Sequence, residues 1–345
     1  MLTASVPLHR HEADARGSGV LTPLPRDGSG LDAPDGASER ARSWHRPSSL
    51  EEASAALSAA HGDGRQLTIG EDLTTEGLDR ILEHEAGDLT CTVEAGIRLS
   101  ALQHALDENG QRLSLDPPGD PTVGALLARN LSGPLRHRFG APRDLVLGVT
   151  LVLADGTIAS AGGKVVKNVA GYDLARLVCG SEGRLALIAR VSLRLHPLPK
   201  AERTLAVETD NTASAISMLL RSQLQPSALD VLHPGGILVL FEGSARAVEA
   251  QIAAARGLVG GSEVGAEAWD VSRRRQAEAS GRACFDPGRL RETLAELGEA
   301  VVRPAAGVAY SADDVPSRRP SQSETQRLLI ERIRHELDPN GVLAA

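Results

Sequence analysis

The sequence predicts an α+β fold with two domains, one over residues 44–200 and one over residues 201–345. Strand and helix patterns alternate through the first domain. The second domain runs strand, helix, strand, strand, helix, strand, which is the order of a ferredoxin-like unit. The chain has 345 residues, a length typical of two domains, and 41% of them are hydrophobic, which is enough for a sizeable core.

Composition excludes several classes of function. The net charge of −8 argues against general affinity for nucleic acid. The three cysteines, Cys91, Cys179 and Cys284, are odd in number and far apart, so they indicate neither a disulfide framework nor a metal site. The N-terminus lacks the apolar region of a signal peptide, and no apolar run is long enough to cross a bilayer. We therefore expect a cytoplasmic protein, attached to a membrane at most through a partner.

Residues 1–43 are predicted to be a disordered leader. They are rich in Gly, Pro, Asp, Ser and Arg and show no apolar periodicity. The string GSGLDA at Gly28–Ala33 partly matches a dinucleotide-binding fingerprint. No strand pattern precedes it and no helical pattern follows, so we treat it as a chance match.

Two capping boxes predict the first helix starts, at Ser49 with Glu52 and at Ser100 with Gln103. The elements predicted up to residue 115 are, in order, a helix over 50–60, strands over 66–69 and 90–94, a helix that ends at Asn109–Gly110, and a strand over 111–115.

A proline-rich loop follows, with Pro117, Pro118 and Pro121 to stiffen it and Gly119 to let it turn. Thr122 is predicted to cap a helix over 123–130. Free amide groups at a helix N-terminus make a natural anion site, although an ordinary capped helix is the alternative interpretation. Positive charge follows at Arg136, His137, Arg138 and Arg143, where a solvated surface is the plainer interpretation.

The central feature is the segment Gly162–Ile188, which carries five glycines, at 162, 163, 171, 180 and 183. Between them lie Lys164, Lys167, Asn168, Tyr172 and Asp173. Asp155–Gly156 predicts a hairpin before this segment, and a long strand over 184–195 follows it. A polar, glycine-rich segment between buried strands is where a scaffold commonly presents ligand groups, and an ordinary long loop is the alternative. Pro197 and Pro199 mark the domain boundary near Lys200.

The second domain begins with the ferredoxin-like unit, over strand 204–208, helix 213–223, strands 229–233 and 237–242, helix 245–256 and strand 263–268. A second, incomplete copy is predicted from strand 282–285, helix 288–297, strands 300–303 and 306–310, and a final helix over 323–337.

The string GGKVVKNVAGYDL, followed by GSEGRLALI, resembles the signature of flavoproteins of the p-cresol methylhydroxylase / vanillyl-alcohol oxidase type. More narrowly, it is similar to the accessory FAD-binding subunit of bacterial glycolate oxidase. The resemblance covers about Arg46 to Pro199 and, more weakly, the second half, where LDPNGVL is similar to the family's closing motif.

This resemblance implies an FAD-binding domain of two α/β subdomains and a ferredoxin-like cap domain, which is shortened here. It implies FAD as cofactor and a role in oxidising glycolate or another 2-hydroxy acid. It also implies two partners, a catalytic flavoprotein subunit and an iron–sulfur subunit. The His/Glu-rich metal motif of the catalytic subunits has no counterpart in this sequence, so the accessory subunit is the better match.

Carried over by motif, the residues implied to contact FAD are Pro118, Gly119, Thr122, Val123, Gly124, Ser132, Gly133, Arg136, Tyr172, Gly180, Glu182, Gly183 and Ile188. No catalytic base is identified. Tyr172 is the best polar candidate in the central segment, but packing and a hydrogen bond are its simplest role.

Three departures bear on FAD binding. The family's glycine-rich diphosphate loop after the strand over 66–69 is replaced by LTIGEDLTTEGL, with one glycine and two acids. The family's GTLG reads GRLA, so that Ala186 stands where a glycine with positive φ would be allowed. The second glycine of a Gly-Gly pair is Ala125.

These departures leave an alternative function, a non-catalytic scaffold subunit of the same complex that has lost FAD. An enzyme of another class on this scaffold is a third hypothesis. Neither a phosphate-binding P-loop nor a nucleophile elbow is present in the sequence to support it.

Overall fold

The computed structural model describes residues 45–163, 173–313 and 323–344. The described residues all belong to one compact unit. Tyr172, Lys164, Lys167 and Asn168 of the central segment lie outside the described residues.

The described helices are α1 (Leu50–Gly62), α2 (Leu99–Asp107), α3 (Val123–Arg129), α4 (Arg136–Phe139), α5 (Pro142–Leu145), α6 (Leu174–Leu177), α7 (Thr212–Arg221), α8 (Ala245–Val259), α9 (Ala268–Glu278), α10 (Leu290–Glu296) and α11 (Glu324–Leu337). Short 3₁₀ turns lie at Ala86–Asp88 and Pro287–Arg289.

The described strands are β1 (Ile81–Glu85), β2 (Thr90–Glu94), β3 (Gln111–Arg112), β4 (Val146–Val152), β5 (Ile158–Gly162), β6 (Leu187–Arg194), β7 (His196–Pro197), β8 (Ala201–Glu208), β9 (Ala228–His233), β10 (Gly236–Gly243), β11 (Ser262–Val264), β12 (Gly281–Cys284), β13 (Ala300–Arg303) and β14 (Val308–Ser311).

The first sheet has five strands in the order β1-β2-β6-β4-β5, and each pair is antiparallel. Side chains of successive residues point to opposite faces of a strand. Leu151 of β4 accordingly joins the core under α2 and α3, whereas its neighbour Val152 joins a separate core under α1. The sheet is therefore buried on both faces near β4 and β6.

The predicted Asp155–Gly156 hairpin is confirmed by the antiparallel β4–β5 pair. Gly156 has φ +88°, and a Cβ there would lie 2.7 Å from the carbonyl oxygen of Ser54. The Ser54 hydroxyl donates to the Gly156 carbonyl. Glycine thus allows both the turn and its close approach to α1.

The second sheet has seven strands in the order β11-β8-β10-β9-β13-β14-β12. Its first four strands have the antiparallel order expected of the ferredoxin-like unit, with α7 and α8 on one face. The remaining three strands, with α10, repeat the first part of the same motif, as the predicted incomplete copy requires. The two copies join edge to edge through β9 and β13.

Helix α9 covers the other face of this sheet and was not predicted. The strand expected over 263–268 ends at Val264, and α9 begins at Ala268. Its inward residues are Trp269, Ser272 and Gln276, of which two are polar. These three residues are spaced three and four positions apart, as on one face of a helix, but two of them are polar. The sequence therefore showed no apolar periodicity from which α9 could be predicted.

Other predicted elements differ from the structure. Residues 66–69 form only single bridges, Leu67 with Leu343 and Ile69 with Leu73. Ser100 is not a cap, because α2 begins at Leu99 after Arg98, and its hydroxyl and amide donate to Asp120. The strand predicted over 111–115 is only β3.

Strands β3 and β7 form a third, two-stranded antiparallel sheet, and polar contacts join the residues before Lys200 to those after it. Arg112 of β3 donates from both terminal nitrogens to the two oxygens of Glu242 on β10, at 2.7 and 2.8 Å. Gln276 of α9 donates to the Ser132 carbonyl at 2.9 Å. The domain boundary near Lys200 stays a prediction. None of the described helices is long and apolar enough to cross a lipid bilayer.

Candidate functional site

A cleft of about 450 Å³ opens beside α3, and we call it the α3 cleft. Three segments line it: the turn that follows Leu67, the start and outer face of α3, and the loop that leads into β6. Its lining includes Thr68, Ile69, Gly70, Glu71, Thr75, Thr122, Gly124, Ala125, Ala128, Arg129, Glu182, Gly183, Ala186, Leu187 and Ile188.

The first wall is a tight turn from Thr68 to Leu73 whose amide groups bond within the turn. The amides of Glu71, Asp72 and Leu73 donate to the Thr68 carbonyl, at 3.1, 2.9 and 3.4 Å. The Gly70 amide donates to the Leu73 carbonyl at 2.9 Å. The Asp72 carboxylate accepts the Thr68 amide at 2.9 Å. This turn thus presents no row of main-chain donors to an anion.

The second wall begins at Thr122, the predicted cap of α3, which accepts a hydrogen bond from the Ala125 amide at 3.2 Å. The amides of Val123 and Gly124 donate to the carbonyls of Ile97 and Ala95, at 2.9 and 2.6 Å. The expectation of free amides at this helix start is therefore wrong. The carbonyls of the turn Ala95–Ile97, which follows β2, take the donors that an anion would need.

The third wall is the loop Gly180–Ala186. The amides of Gly180 and Glu182 donate to the carbonyls of Leu127 and Ala128, at 2.9 and 2.8 Å, which fixes the loop against α3. Gly183 has φ +79°, and a Cβ there would lie 2.8 Å from Cβ of Ile69. Among the described non-glycine residues, positive φ occurs only at Leu89, Asn130 and Glu182. The replacement of glycine by Ala186 therefore causes no strain of this kind.

The cleft contains charged side chains of both signs. Arg129, in the last turn of α3, is exposed and has no ion-pair partner among the described residues. Glu71 and Glu182 also line the cleft, and Glu182 is paired with Arg184 at 2.7 Å. Three threonines, Thr68, Thr75 and Thr122, also line the cleft. Its apolar lining, which we call the apolar floor, consists of Ala125, Ala128, Ala186, Leu187 and Ile188.

The structure brings five of the predicted site residues together in the α3 cleft, namely Thr122, Gly124, Glu182, Gly183 and Ile188. Val123 is buried in the adjoining core. Pro118 and Gly119 line a second cavity, and Gly180 lines a third, against α11. Tyr172 lies outside the described residues.

The remaining predicted residues, Ser132, Gly133 and Arg136, lie where the two sheets meet, a region we call the contact zone. The buried Ser132 carbonyl accepts from Gln276 at 2.9 Å and from Arg303 at 3.3 Å. The Ser132 hydroxyl accepts from Arg136 at 3.1 Å. A Cβ at Gly133 would lie 1.8 Å from the Asp116 carbonyl oxygen, so only glycine fits there.

Buried charges characterise the contact zone. Arg303 and Asp230 are 2% and 0% exposed, and their nearest charged atoms are 3.4 Å apart. Burial raises the pKa of the Asp230 carboxyl, and Arg303 counteracts that shift. Burial also raises the pKa of the Asp116 carboxyl to about 7, against the hydrogen bond from the Leu135 amide.

Comparison with known proteins finds a domain family that matches about a third of the chain. The family described as FAD binding domain matches residues 45–162. These residues are thus similar to FAD-binding domains. The matched residues include the turn that starts at Thr68 and the whole of α3, and the family indicates FAD as the cofactor.

The chain is homologous to glycolate oxidase subunits. It is 33% identical over 225 residues to glycolate oxidase subunit GlcE of Escherichia coli (strain K12), covering 62% of this chain and 63% of that protein. It is 33% identical over 191 residues to glycolate oxidase subunit GlcD of Bacillus subtilis (strain 168), covering 52% and 41%. It is 34% identical over 208 residues to D-lactate dehydrogenase of Archaeoglobus fulgidus, covering 54% and 46%. The chain thus spans less than two thirds of each of these relatives.

A solved structure of alkyldihydroxyacetonephosphate synthase has the same fold, with a TM-score of 0.65 at 16% sequence identity. The superposition covers 86% of this chain and 74% of that one. The predicted fold class is confirmed: an α+β fold with an FAD-binding domain of the p-cresol methylhydroxylase type and a ferredoxin-like unit.

The α3 cleft fits FAD through side chains rather than main-chain amides. One guanidinium and three hydroxyls can meet a diphosphate, and the alanine, leucine and isoleucine floor suits an aromatic ring. The main-chain donors of the turn and of α3 are already used. The sequence analysis did not identify Thr68, Thr75 and Arg129 as site residues. Thr68 could have been found from its position in the short strand pattern that ends just before Gly70.

Proposed function

We propose that this chain is the FAD-binding subunit of a glycolate oxidase-like complex that oxidises a 2-hydroxy acid. The observation that carries the proposal is the α3 cleft, most of whose lining lies in the residues that match the FAD-binding domain family. The cleft combines an apolar floor with Arg129, an arginine that has no ion-pair partner in the described part of the chain. The names of the relatives supply the reaction class, glycolate or D-lactate oxidation.

Within the proposal, Arg129 and the hydroxyls of Thr68, Thr75 and Thr122 hold the two phosphates of FAD. Ala186, Leu187 and Ile188 pack against one of its aromatic rings. The bound flavin supplies the redox chemistry, and the protein supplies position and electrostatics. Arg129 is the important residue here, because Glu71 and Glu182 place negative charge at the same cleft and repel a diphosphate.

The proposal includes partners, because two of the relatives are named as subunits of glycolate oxidase. We propose a catalytic flavoprotein subunit and an iron–sulfur subunit as the other components. The complex would lie in the cytoplasm, and any contact with a membrane would come through those partners.

The alternative is a scaffold subunit of the same complex that no longer binds FAD. One observation favours it. The main-chain amides of the turn Thr68–Leu73 donate to carbonyls of the same turn, whereas a diphosphate-binding loop would leave its amides free for the cofactor. The two functions differ in a single measurable property, the retention of flavin.

The test is an absorbance scan of the purified chain after incubation with FAD and ultrafiltration. We expect retained flavin in the wild type and about tenfold weaker binding in Arg129→Gln, the effect of losing about 1.4 kcal/mol of binding free energy. Arg221→Gln, which removes an exposed arginine from α7, is the matched control.

Bleaching of the retained flavin band by glycolate or D-lactate would support the reaction class. If the wild type retains no flavin, the FAD-binding function is contradicted and the scaffold function is the one that remains. Flavin that is retained equally by Arg129→Gln and the wild type would show that the cofactor does not use this cleft.

A further inference from the structure

The second cavity has a volume of about 390 Å³ and lies between the proline loop and α9. Its walls come from the two halves of the chain. The loop contributes Asp116 and Pro117–Gly119, and α9 contributes Asp270, Arg273, Arg274 and Ala277. The cavity therefore places two guanidinium groups and two carboxyl groups around one open space.

The carboxyl of Asp116 is held in a fixed position at this cavity. Its Oδ1 atom accepts the Leu135 amide at 2.9 Å, and its Oδ2 atom lies 3.8 Å from Nη1 of Arg273. Gly133 packs against it so closely that a Cβ there would lie 2.4 Å from Oδ1. The Asp116 side chain still has 22% of its surface exposed, so a ligand can reach it.

Helix α9 is anchored strongly enough to position the two arginines. The Trp269 indole donates to the Thr204 hydroxyl at 2.9 Å, and Gln276 donates to the Ser132 carbonyl at 2.9 Å. Ser272 donates to the buried Asp230 carboxylate at 2.5 Å. These three contacts lie on the inward side of α9 and fix the helix at both ends and at its middle.

Three consecutive arginines of α9 have different surroundings. Arg275 is bound to the carbonyls of His233 and Ala300 and to Glu299. Arg273 is shared between Asp270, at 2.7 Å, and Asp116. Arg274 lines the cavity and has no hydrogen-bond or ion-pair partner among the described residues. The cavity thus has one guanidinium that is available for a carboxylate.

We propose that this cavity binds a small 2-hydroxy carboxylate, with Arg274 and Arg273 holding its carboxylate group and Asp116 accepting the hydrogen bond of its hydroxyl. The inference rests on the proposed function for the class of substrate, and it assigns to that substrate residues that no motif of the sequence indicated. The two functional groups of such a ligand are adjacent, and the arginine and carboxyl groups of the cavity are likewise adjacent.

The direct test is calorimetric titration of the full chain, free of FAD, with glycolate and with acetate, which lacks the hydroxyl. We expect glycolate to bind at least about tenfold more tightly than acetate, because an unpaired polar group at a ligand site costs about 1–3 kcal/mol. Arg274→Ala should weaken both ligands by about tenfold. Asp116→Asn should reduce the preference for glycolate and leave acetate binding nearly unchanged.

Arg246→Ala, which removes an exposed arginine from α8, is the matched control and should bind both ligands as the wild type does. Circular dichroism checks the fold of each variant. If Asp116→Asn fails to fold, the exposed Arg274→Ala variant still decides the assignment.

Equal affinity for glycolate and acetate, or unchanged affinity in Arg274→Ala, would overturn the proposal. Competition of chloride with glycolate at equal strength would reduce the cavity to a general anion site and overturn it as well. Flavin retention is measured separately, so a chain that binds glycolate but no FAD would contradict the proposed function and leave this site standing.

Discussion

The interior of the first sheet and the contact zone between the sheets are both buried, but they are built differently. The interior under α2 and α3 contains leucine, valine, alanine and isoleucine almost throughout. The contact zone buries Asp230, Arg303, Gln276, Ser272 and Ser132. Apolar packing tolerates changes of shape if volume is kept, whereas buried polar groups require particular partners. The contact zone therefore fixes how α9 and the segment Asp116–Arg136 face each other.

The largest expected difference between the two regions comes from Arg303→Ala. This substitution leaves Asp230 buried without its cation, and we expect the free energy of unfolding to fall by about 3–5 kcal/mol. Urea denaturation measures the change. Arg203→Ala, which breaks an exposed pair with Glu263, is the control and should cost less than about 1 kcal/mol. Equal losses in the two variants would show that the buried pair of the contact zone contributes no more to stability than an exposed pair does.

The apolar interior should respond through volume alone. Leu126→Ala removes a fully buried side chain of α3, and we expect a loss of about 2–4 kcal/mol in the free energy of unfolding. Leu126→Met, which keeps the volume, should cost less than about 1.5 kcal/mol. A loss as large in the methionine variant would mean that this core depends on exact shape, as the contact zone does.

Asp116 should make stability fall as pH rises. Its pKa is about 7 in the folded chain against an ordinary value of 3.8, since burial outweighs Arg303 and Arg273. Between these two values the folded chain binds more protons than the unfolded chain, so the free energy of unfolding decreases with pH. Asp116→Asn should remove that contribution, so that urea titrations from pH 4 to 7 give a more positive slope of the free energy of unfolding than in the wild type. An unchanged slope in the variant would place the carboxyl in water.

His196 should have the opposite effect. Burial, helped by Arg194, Arg112 and Arg138, lowers the pKa of the imidazole to about 4 from 6.5. The folded chain then binds fewer protons than the unfolded chain over this range, and stability rises with pH between 4 and 6.5. His196→Asn should remove the rise and expose the fall caused by Asp116. The two contributions oppose each other in the wild type, so a flat wild-type profile agrees with both.

The difference between apolar and polar packing also explains which elements the sequence could predict. The hairpin at Gly156, the cap at Thr122 and the order of the ferredoxin-like unit follow from turn chemistry and apolar alternation, and the structure confirms them. Helix α9 has polar inward residues, Ser272 and Gln276, which produce no apolar pattern. Strand β1 is exposed and charged, and it was missed for the same reason.

The candidate site was predictable only in part. Thr122, Gly124 and Gly183 lie together in the α3 cleft because motif and local geometry agree there. The motif did not indicate that the amides at the start of α3 are already hydrogen-bonded, because their acceptors are the carbonyls of Ala95 and Ile97 in a distant segment. The pairing of Asp116 with α9 likewise requires the packing of two segments that are more than 150 residues apart in the sequence.

The bridge between Leu67 and Leu343 affects the order in which parts of the α3 cleft can form during synthesis. The amide of Leu67 donates to the Val342 carbonyl at 2.7 Å, and the amide of Ala344 donates to the Leu67 carbonyl at 2.9 Å. The wall of the α3 cleft that starts at Thr68 therefore gains its neighbour only after the ribosome has made both sheets and α11. This wall of the cleft is therefore complete only after residues 342–344 have been made.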